Sequence, residues 1–202
     1  MKDKGASKVV GIDISNEMIE EAKKVEKSSD PIIYKVADAK NFQESCDFDL
    51  VTTQYLFPYA STKVDLLQMC QSAFKALKPG GSFVGVTTWS GGVNQRPLHT
   101  HYPKLGLKIT WEGSDRGEPL QDGICVQLTL LDAEGQASVT FPNYLWSQET
   151  ISESIKCAGF SEVKWVEEKC CETASQEVKD WAKVASVEFG LCGYFVAKKV
   201  AA

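Results

Sequence analysis

The chain has 202 residues, which is enough for one domain with a substantial buried core. Its composition, with 43% hydrophobic and 24% charged residues, is that of an ordinary globular protein and argues against disorder. The net charge of −5 argues against a basic surface that neutralises nucleic-acid phosphates, so we expect a small-molecule partner and no nucleic acid.

The cysteine content and the apolar runs limit the class of protein further. The seven cysteines form no CxxC pair and no ligand-like run with histidine, so we predict no metal site and expect reduced thiols. No apolar run approaches the roughly 18 residues of a membrane span. The first eight residues carry charge without an apolar core, so no signal peptide is predicted. These features indicate a cytoplasmic protein that does not enter a membrane.

Short apolar runs alternate with helical patterns over the first 87 residues. Strands are predicted at 8–14, 32–36, 48–53 and 82–87. Ser15 is the predicted N-cap of a helix that runs to about residue 27. A second helix is predicted over 65–77, with the Lys-Pro-Gly-Gly sequence at 78–81 ending it. This alternation predicts βαβ units around a parallel sheet.

The segment that follows is different in character. It contains several prolines and glycines, and two strands are predicted at 121–131 and 136–141, joined by a hairpin turn at 132–135. We interpret 88–146 as a β-rich insertion that covers a site. Beyond it we predict a helix over 147–158, capped by Ser147 and ended by Gly159. Strands at 163–166 and 194–197 are predicted to form an antiparallel pair, and 1–202 to form one domain.

Acidic side chains follow two of the predicted strands. Asp13 lies at the carboxyl end of the first, where open α/β sheets bind ligands, and could accept hydrogen bonds from both hydroxyls of a ribose. It could equally stabilise the dipole of the next helix. Ile14 and Met18 could line an adenine, although core packing is the better explanation for Met18 alone. Asp38 could accept from an exocyclic amine or be a solvated turn residue.

Further candidate residues lie after the third strand and in the insertion. Aromatic walls and one amide suit a small-molecule pocket, or a hydrophobic loop beneath the next helix, and come from Gln54, Tyr55, Phe57, Pro58 and Tyr59. The only histidines, His99 and His101, could bind a metal or act as a base, but ordinary loop positions explain them better.

Taken together, these segments resemble the class I S-adenosylmethionine-dependent methyltransferase family from about residue 5 onward. The strings that carry the resemblance are, in chain order, VVGIDISNEMIEEAKK, VADAKNF, FDLVTTQYLFPYA, ALKPGGSFVGVT, ETISESIKCAGFSEVKWVE and GYFVAKK. They are similar to parts of the family's second to seventh strands. The resemblance implies an α/β fold with a Rossmann-like sheet and helices on both faces. It also implies an antiparallel C-terminal strand pair and a β-rich insertion before the sixth strand.

The resemblance also implies a function. The cofactor would be S-adenosyl-L-methionine and the acceptor a small molecule, as in the ubiquinone-biosynthesis and toxoflavin methyltransferases. The sulfonium is already a good leaving group, so the reaction could proceed without a base. If a base is used, His99, His101 or a tyrosine could serve, and no catalytic residue is assigned. Implied cofactor contacts are ribose binding by Asp13, adenine contacts by Ile14, Met18, Asp38 and Ala39, and contacts near the methyl by Gln54 and Tyr55. Substrate contacts are expected from Tyr59, Trp89, His99 and His101.

One part of the family pattern has no counterpart in this sequence. The family's first strand and its Gly-x-Gly-x-Gly loop precede the second strand, and we expect both to be missing here. A missing central strand would leave unpaired edges in the sheet and a gap in the cofactor site. A catalytically inactive methyltransferase-like protein, acting as a binding or regulatory module, is therefore the alternative. A Rossmann dehydrogenase also places an acid after its second strand, but the order ALKPGG, strand, AGF does not support it.

Overall fold

The computed structural model describes residues 5–26, 32–43, 47–88, 106–112, 121–166, 172–176, 179 and 192–200. Strands and helices alternate in this part of the chain, which confirms the predicted α/β class. Their order is β1 (Val10–Asp13), α1 (Asn16–Val25), β2 (Ile33–Val36), β3 (Phe48–Gln54), α2 (Lys63–Ala76), β4 (Leu77–Thr88), β5 (Leu107–Thr110), β6 (Ile124–Leu131), β7 (Ala137–Leu145), α3 (Gln148–Cys157), β8 (Glu162–Val166) and β9 (Cys192–Lys198). None of these three helices is long and apolar enough to cross a membrane.

The described strands form three hydrogen-bonded sheets. β1 and β2 pair in parallel, as the predicted βαβ pattern requires. The second sheet has the order β3-β4-β9-β8, in which β3 and β4 are parallel and β9 is antiparallel to both of its neighbours. This confirms the predicted C-terminal strand pair. β1 and β3 each have a strand partner on one edge only within the described residues.

Contacts outside the strands join the two-stranded sheet to the four-stranded one. At the amino ends of β1 and β3, the Lys8 ammonium lies 5.0 Å from the centre of the Phe48 ring. On the far side, the loop after β2 contacts α2, where Lys40 Nζ is 3.2 Å from Asp65 Oδ1 and the Ser72 hydroxyl donates to the Lys40 carbonyl at 2.9 Å. These contacts hold the first sheet against the second without strand pairing between them.

Side-chain caps fix where the helices begin. The predicted cap Ser15 accepts from the backbone N–H of Met18 at 3.2 Å. α2 begins two residues earlier than predicted, because Thr62 and Asp65 form a capping box in which each side chain accepts from the other's backbone N–H at 3.1 Å.

The predicted end of α2 is confirmed to within one residue, but residues 78–81 are part of a strand. α2 ends at Ala76, and β4 begins at the next residue and includes the Lys-Pro-Gly-Gly sequence. The reason is pairing with residues beyond β9: Gly80 N–H donates to the Lys199 carbonyl at 3.0 Å, and Lys199 N–H donates to the Gly81 carbonyl at 3.0 Å. Extended pairing satisfies backbone groups that a turn would leave to water. Gly80 has a φ of 80°, which glycine tolerates readily.

The hairpin predicted in the insertion is confirmed. Gly135 N–H donates to the Asp132 carbonyl at 3.0 Å, and the Asp132 carboxylate accepts from the backbone of Glu134 and Gln136. β7 continues four residues past the predicted end at 141. Pro142 is tolerated there because β7 is an edge strand of the three-stranded sheet. β5 was not predicted.

The main core lies between the four-stranded sheet and helices α2 and α3. Its centre is aromatic: the Phe57 and Phe195 rings stack at 5.5 Å, and Phe83 meets Phe195 edge-on at 5.1 Å. Gly85 makes this packing possible, because a Cβ at that position would lie 2.6 Å from the Phe195 ring. The core therefore secures β3, β4 and β9 and the turn that follows β3.

Replacing Phe195 by alanine tests this core. Phe195 is 1% exposed, so Phe195→Ala is expected to lower the free energy of unfolding by about 3–5 kcal/mol, as measured by urea denaturation. Val200→Ala serves as the control, because Val200 is 62% exposed and its truncation should change stability by less than about 0.5 kcal/mol. Similar small effects from both substitutions would contradict the position of the core.

Candidate functional site

Pairing of β1 with β2 brings the two predicted acids to the same edge of a sheet. Asp13 is the last residue of β1 and lies opposite Val36, the last residue of β2. The backbone N–H of Ala37 donates to the Asp13 carbonyl at 2.9 Å, which extends the pairing by one residue. Asp38 follows directly. Both carboxylates therefore lie at the carboxyl ends of neighbouring parallel strands, where open α/β sheets bind ligands.

The Asp13 carboxylate is exposed and yet held in place. Its Oδ1 accepts from the backbone N–H of Ser15 at 2.8 Å, in the turn that leads into α1. Its Oδ2 accepts no hydrogen bond from the part of the chain that the structure describes. A carboxylate oxygen can accept more than one hydrogen bond, so the group retains acceptor capacity for a ligand. The helix-terminus role and the ligand-binding role that the sequence left open are compatible in this geometry.

Two apolar side chains next to Asp13 are exposed. Ile14 is 70% exposed and Met18 is 54% exposed, whereas Ile19 supplies the buried contact of α1. The interpretation of Met18 as a core residue was therefore wrong, because the helix turns Ile19 inward instead. Exposed apolar side chains beside a carboxylate provide a surface that suits a flat ring joined to a polar group.

Asp38 is half-buried and is engaged by its own turn. Its Oδ1 accepts from the backbone N–H of Lys40 at 2.9 Å, and its Oδ2 is 4.0 Å from Lys40 Nζ. The predicted turn role is therefore present. Ala39 packs against the main core, which anchors this loop. Lys40 also reaches Asp65, so its single positive charge lies between two carboxylates.

The end of β3 has an unusual backbone. Gln54 is exposed and pairs with Val86, and the next residue, Tyr55, has a φ of 51°. Tyr55 is the only non-glycine residue with positive φ in the described ranges. Its backbone N–H donates to the Val86 carbonyl at 2.8 Å, which holds this conformation, and its side chain is 45% exposed. Residues held in sparsely populated backbone regions cluster at functional sites.

The three predicted residues that follow Tyr55 divide between the core and the surface. Phe57 and Pro58 are buried in the 3₁₀ turn Phe57–Tyr59, which agrees with the alternative of a hydrophobic loop beneath the helix. Tyr59 is exposed, and its ring lies parallel to that of Phe141 of β7, with a centroid distance of 6.3 Å. The predicted set therefore has two exposed tyrosines at the candidate site and two residues in the core.

Some predicted residues cannot be placed, and some site residues were missed. Trp89, His99 and His101 lie outside the described residues.

Lys40, Asp65 and Phe141 were not predicted as site residues. The Thr-x-x-Asp pattern at 62–65 was a visible signal for Asp65. No local pattern links Lys40 with α2 or Phe141 with Tyr59, because each contact joins distant parts of the chain.

Other features of the described residues lie away from this edge. A surface groove of about 450 Å³ between α3 and β8 contains none of the predicted site residues. In the ranges that the structure describes, no cluster of three or more His, Cys, Asp or Glu side chains is arranged to hold a metal ion.

Comparison with known proteins gives a consistent result. Residues 1–81 match a family described as "Methyltransferase domain", and no curated protein matches the sequence. A Listeria monocytogenes protein assigned as an S-adenosylmethionine-dependent methyltransferase is 19% identical, with a TM-score of 0.62 over 98% of this chain and 82% of that chain. The corresponding enzyme from Mesorhizobium loti is 18% identical, with a TM-score of 0.62 over 98% and 83%. At these identities the likeness shows the fold.

A third solved structure comes from a complex. It is the Haloferax volcanii complex between the methyltransferase activator Trm112 and a protein assigned as a methyltransferase. That structure is 16% identical to this chain, with a TM-score of 0.55 over 98% of this chain and 75% of that chain. The same fold therefore recurs in bacterial and archaeal proteins.

The Asp65 carboxylate makes the stability of this region depend on pH. Its hydrogen bond from the Ser61 hydroxyl, with those from Lys40 and Thr62, lowers the pKa of Asp65 to about 2 from an ordinary value of 3.8. A depressed folded-state pKa stabilises the protein above pH 4, and that stabilisation is lost as the pH falls through 2. Asp65→Asn should therefore be less stable than the wild type at pH 6, with the difference shrinking between pH 4 and 2 in urea titrations. A difference independent of pH would contradict this role.

Proposed function

We propose that this chain binds S-adenosyl-L-methionine and transfers its methyl group to a small-molecule acceptor. Residues 1–81 match the model of a methyltransferase-domain family, and the fold is similar to that of solved structures described as S-adenosylmethionine-dependent methyltransferases. The observation that carries the proposal is the edge formed by β1 and β2. It presents two carboxylates, Asp13 and Asp38, beside the exposed side chains of Ile14 and Met18.

The residues at this edge fit the nucleoside half of the cofactor. A ribose diol is a pair of donors, and the exposed Asp13 carboxylate has acceptor capacity beyond its bond to Ser15. An adenine is a flat ring that fits against exposed apolar side chains, which Ile14 and Met18 supply. Its exocyclic amine is a donor, and Asp38 on the neighbouring strand is an acceptor. Ring, sugar and amine thus each have a partner of matching chemistry.

The reacting end is proposed to lie at the carboxyl end of β3. When bound, the cofactor would supply an electrophilic methyl group on a sulfonium, from which a neutral thioether departs as the leaving group. The residues of this chain then have to hold the acceptor in line and exclude water. We assign this task to Gln54 and Tyr55 at the end of β3, and the strained backbone of Tyr55 supports a functional role.

A second candidate function has support from the sheet arrangement. β1 and β3 each have an unpaired edge in the described part of the chain, so Asp13 and Gln54 lie on strands that are not hydrogen-bonded to each other. A protein with this arrangement could retain the fold as a binding or regulatory module without catalysis. The two candidates differ in one measurable property, which is saturable binding of the cofactor or its demethylated product.

Calorimetry with S-adenosylhomocysteine tests the cofactor site. We expect saturable binding to the full chain, weakened by Asp13→Ala about 10- to 100-fold, because hydrogen bonds to a charged group contribute about 1.5–3 kcal/mol. The control is Asp49→Ala, which removes an exposed carboxylate near the amino end of β3 and should leave the affinity unchanged. Absence of wild-type binding at millimolar ligand would favour the non-catalytic candidate instead.

The role of Asp38 is tested by changing the ligand as well as the protein. S-inosylhomocysteine lacks the exocyclic amine, so the wild type should bind it about 10-fold more weakly than S-adenosylhomocysteine. Asp38→Ala should weaken binding of the adenosyl compound and reduce this preference to about 2-fold or less. Equal weakening of both ligands would show that Asp38 acts only through its turn with Lys40, and would remove it from the proposed site.

A further inference from the structure

The exposed ring of Tyr59 is part of an aromatic pair that joins two distant segments. Its plane is within 10° of that of Phe141, and the ring centroids are 6.3 Å apart. Tyr59 is 58% exposed, so this pair presents an open aromatic surface. Aromatic rings gain stabilisation from further offset-stacked rings, beyond the apolar area that they bury. A bound aromatic ring can therefore stack on this pair.

The surroundings fix this pair in place. One residue beyond Tyr59, the buried carbonyl of Ala60 accepts from the Trp146 indole N–H at 3.0 Å, across 86 residues of sequence. Gly123 makes room for Trp146, because a Cβ at that position would lie 2.5 Å from the indole ring. Asp122 accepts from the backbone of Ser147 and from the Thr150 hydroxyl, which ties the same sheet to α3. The aromatic surface is thus preorganised.

The pair lies close to the end of β3 along the chain. Tyr59 follows Tyr55 by four residues, so their Cα atoms lie within about 14 Å even in a fully extended chain. The intervening 3₁₀ turn shortens that separation. The aromatic pair and the end of β3 therefore belong to one short segment of the chain, and an acceptor bound on the pair lies in the neighbourhood of that strand end.

The charged side chains at the start of α2 already have partners of opposite charge. Lys63 Nζ lies 3.9 Å from Asp122, and Asp65 lies 3.2 Å from Lys40 Nζ. A ligand carboxylate or phosphate would have to compete with these pairs. The described surface therefore favours a ring without charge over an anionic acceptor.

We propose that Tyr59 and Phe141 form the acceptor platform and that the acceptor is an uncharged, planar aromatic compound. This inference rests on the proposed methyl transfer, because it identifies the second substrate of the same site. It assigns Phe141 a specificity-determining role through stacking.

A matched pair of probes tests the platform directly. Isothermal titration of the full chain with 2-naphthol and with decahydro-2-naphthol compares an aromatic ligand with a saturated one of similar size. The wild type should prefer 2-naphthol about 10-fold, and Tyr59→Leu or Phe141→Leu should each reduce that preference about 2- to 10-fold. Tyr59→Phe keeps the ring and should keep the preference. Phe74→Leu removes a ring from the last turn of α2, at the opposite end of the helix, and serves as the control.

The outcomes separate this inference from the proposed function. Equal binding of the two probes, no binding of either probe, or the same loss in the Phe74 control would overturn the platform. Loss of the preference in the Tyr59→Phe variant would also overturn it. Binding of S-adenosylhomocysteine should be unchanged in Tyr59→Leu and Phe141→Leu. A wild type that prefers 2-naphthol but does not bind S-adenosylhomocysteine would support the platform and refute methyl transfer.

Discussion

The candidate site depends on the register between β1 and β2. Side chains alternate along a strand, so a slip by one residue would turn every side chain of β1 to the other face. The observed register places Asp13 opposite Val36, and the hydrogen bond from Ala37 to the Asp13 carbonyl continues it past the strand ends. Asp38 then follows at the same edge. The chemistry of two acids beside exposed apolar side chains is thus a consequence of backbone pairing.

That pairing is itself supported from outside the two strands. A pair of strands is marginally stable alone, and β1 and β2 have no other strand partner in the described part of the chain. Their support comes from the contact of Lys8 with Phe48, the bond of Lys40 to Asp65 and the packing of Ala39 against the main core. The position of the proposed nucleoside site relative to β3 therefore depends on a few contacts between the sheets.

The sequence predicted those features of the fold that are encoded locally. Ser15 and Ser147 mark helix starts, Gly159 marks a helix end with a φ of 114°, and the turn at Asp132 has its own side-chain acceptor. The sequence-based predictions differ from the structure where contacts with distant residues override the local sequence signals. The Lys-Pro-Gly-Gly sequence is a good helix end, but pairing with Lys199 draws it into β4. The apolar pattern of α1 is consistent with burial of either Met18 or Ile19, but in the packed helix Ile19 is buried and Met18 is exposed.

The same distinction explains why the cofactor could be inferred from the sequence and the acceptor could not. The proposed cofactor residues follow strand ends in short segments, so a family resemblance can assign them one at a time. The proposed acceptor platform has no such segment, because Tyr59 comes from the turn after β3 and Phe141 from a β-hairpin about eighty positions later. The two rings meet because β7 packs against the turn after β3 and because the Trp146 indole N–H donates to the Ala60 carbonyl in that turn. Acceptor choice can therefore change through a single ring on β7 while the residues of the β1–β2 edge stay the same.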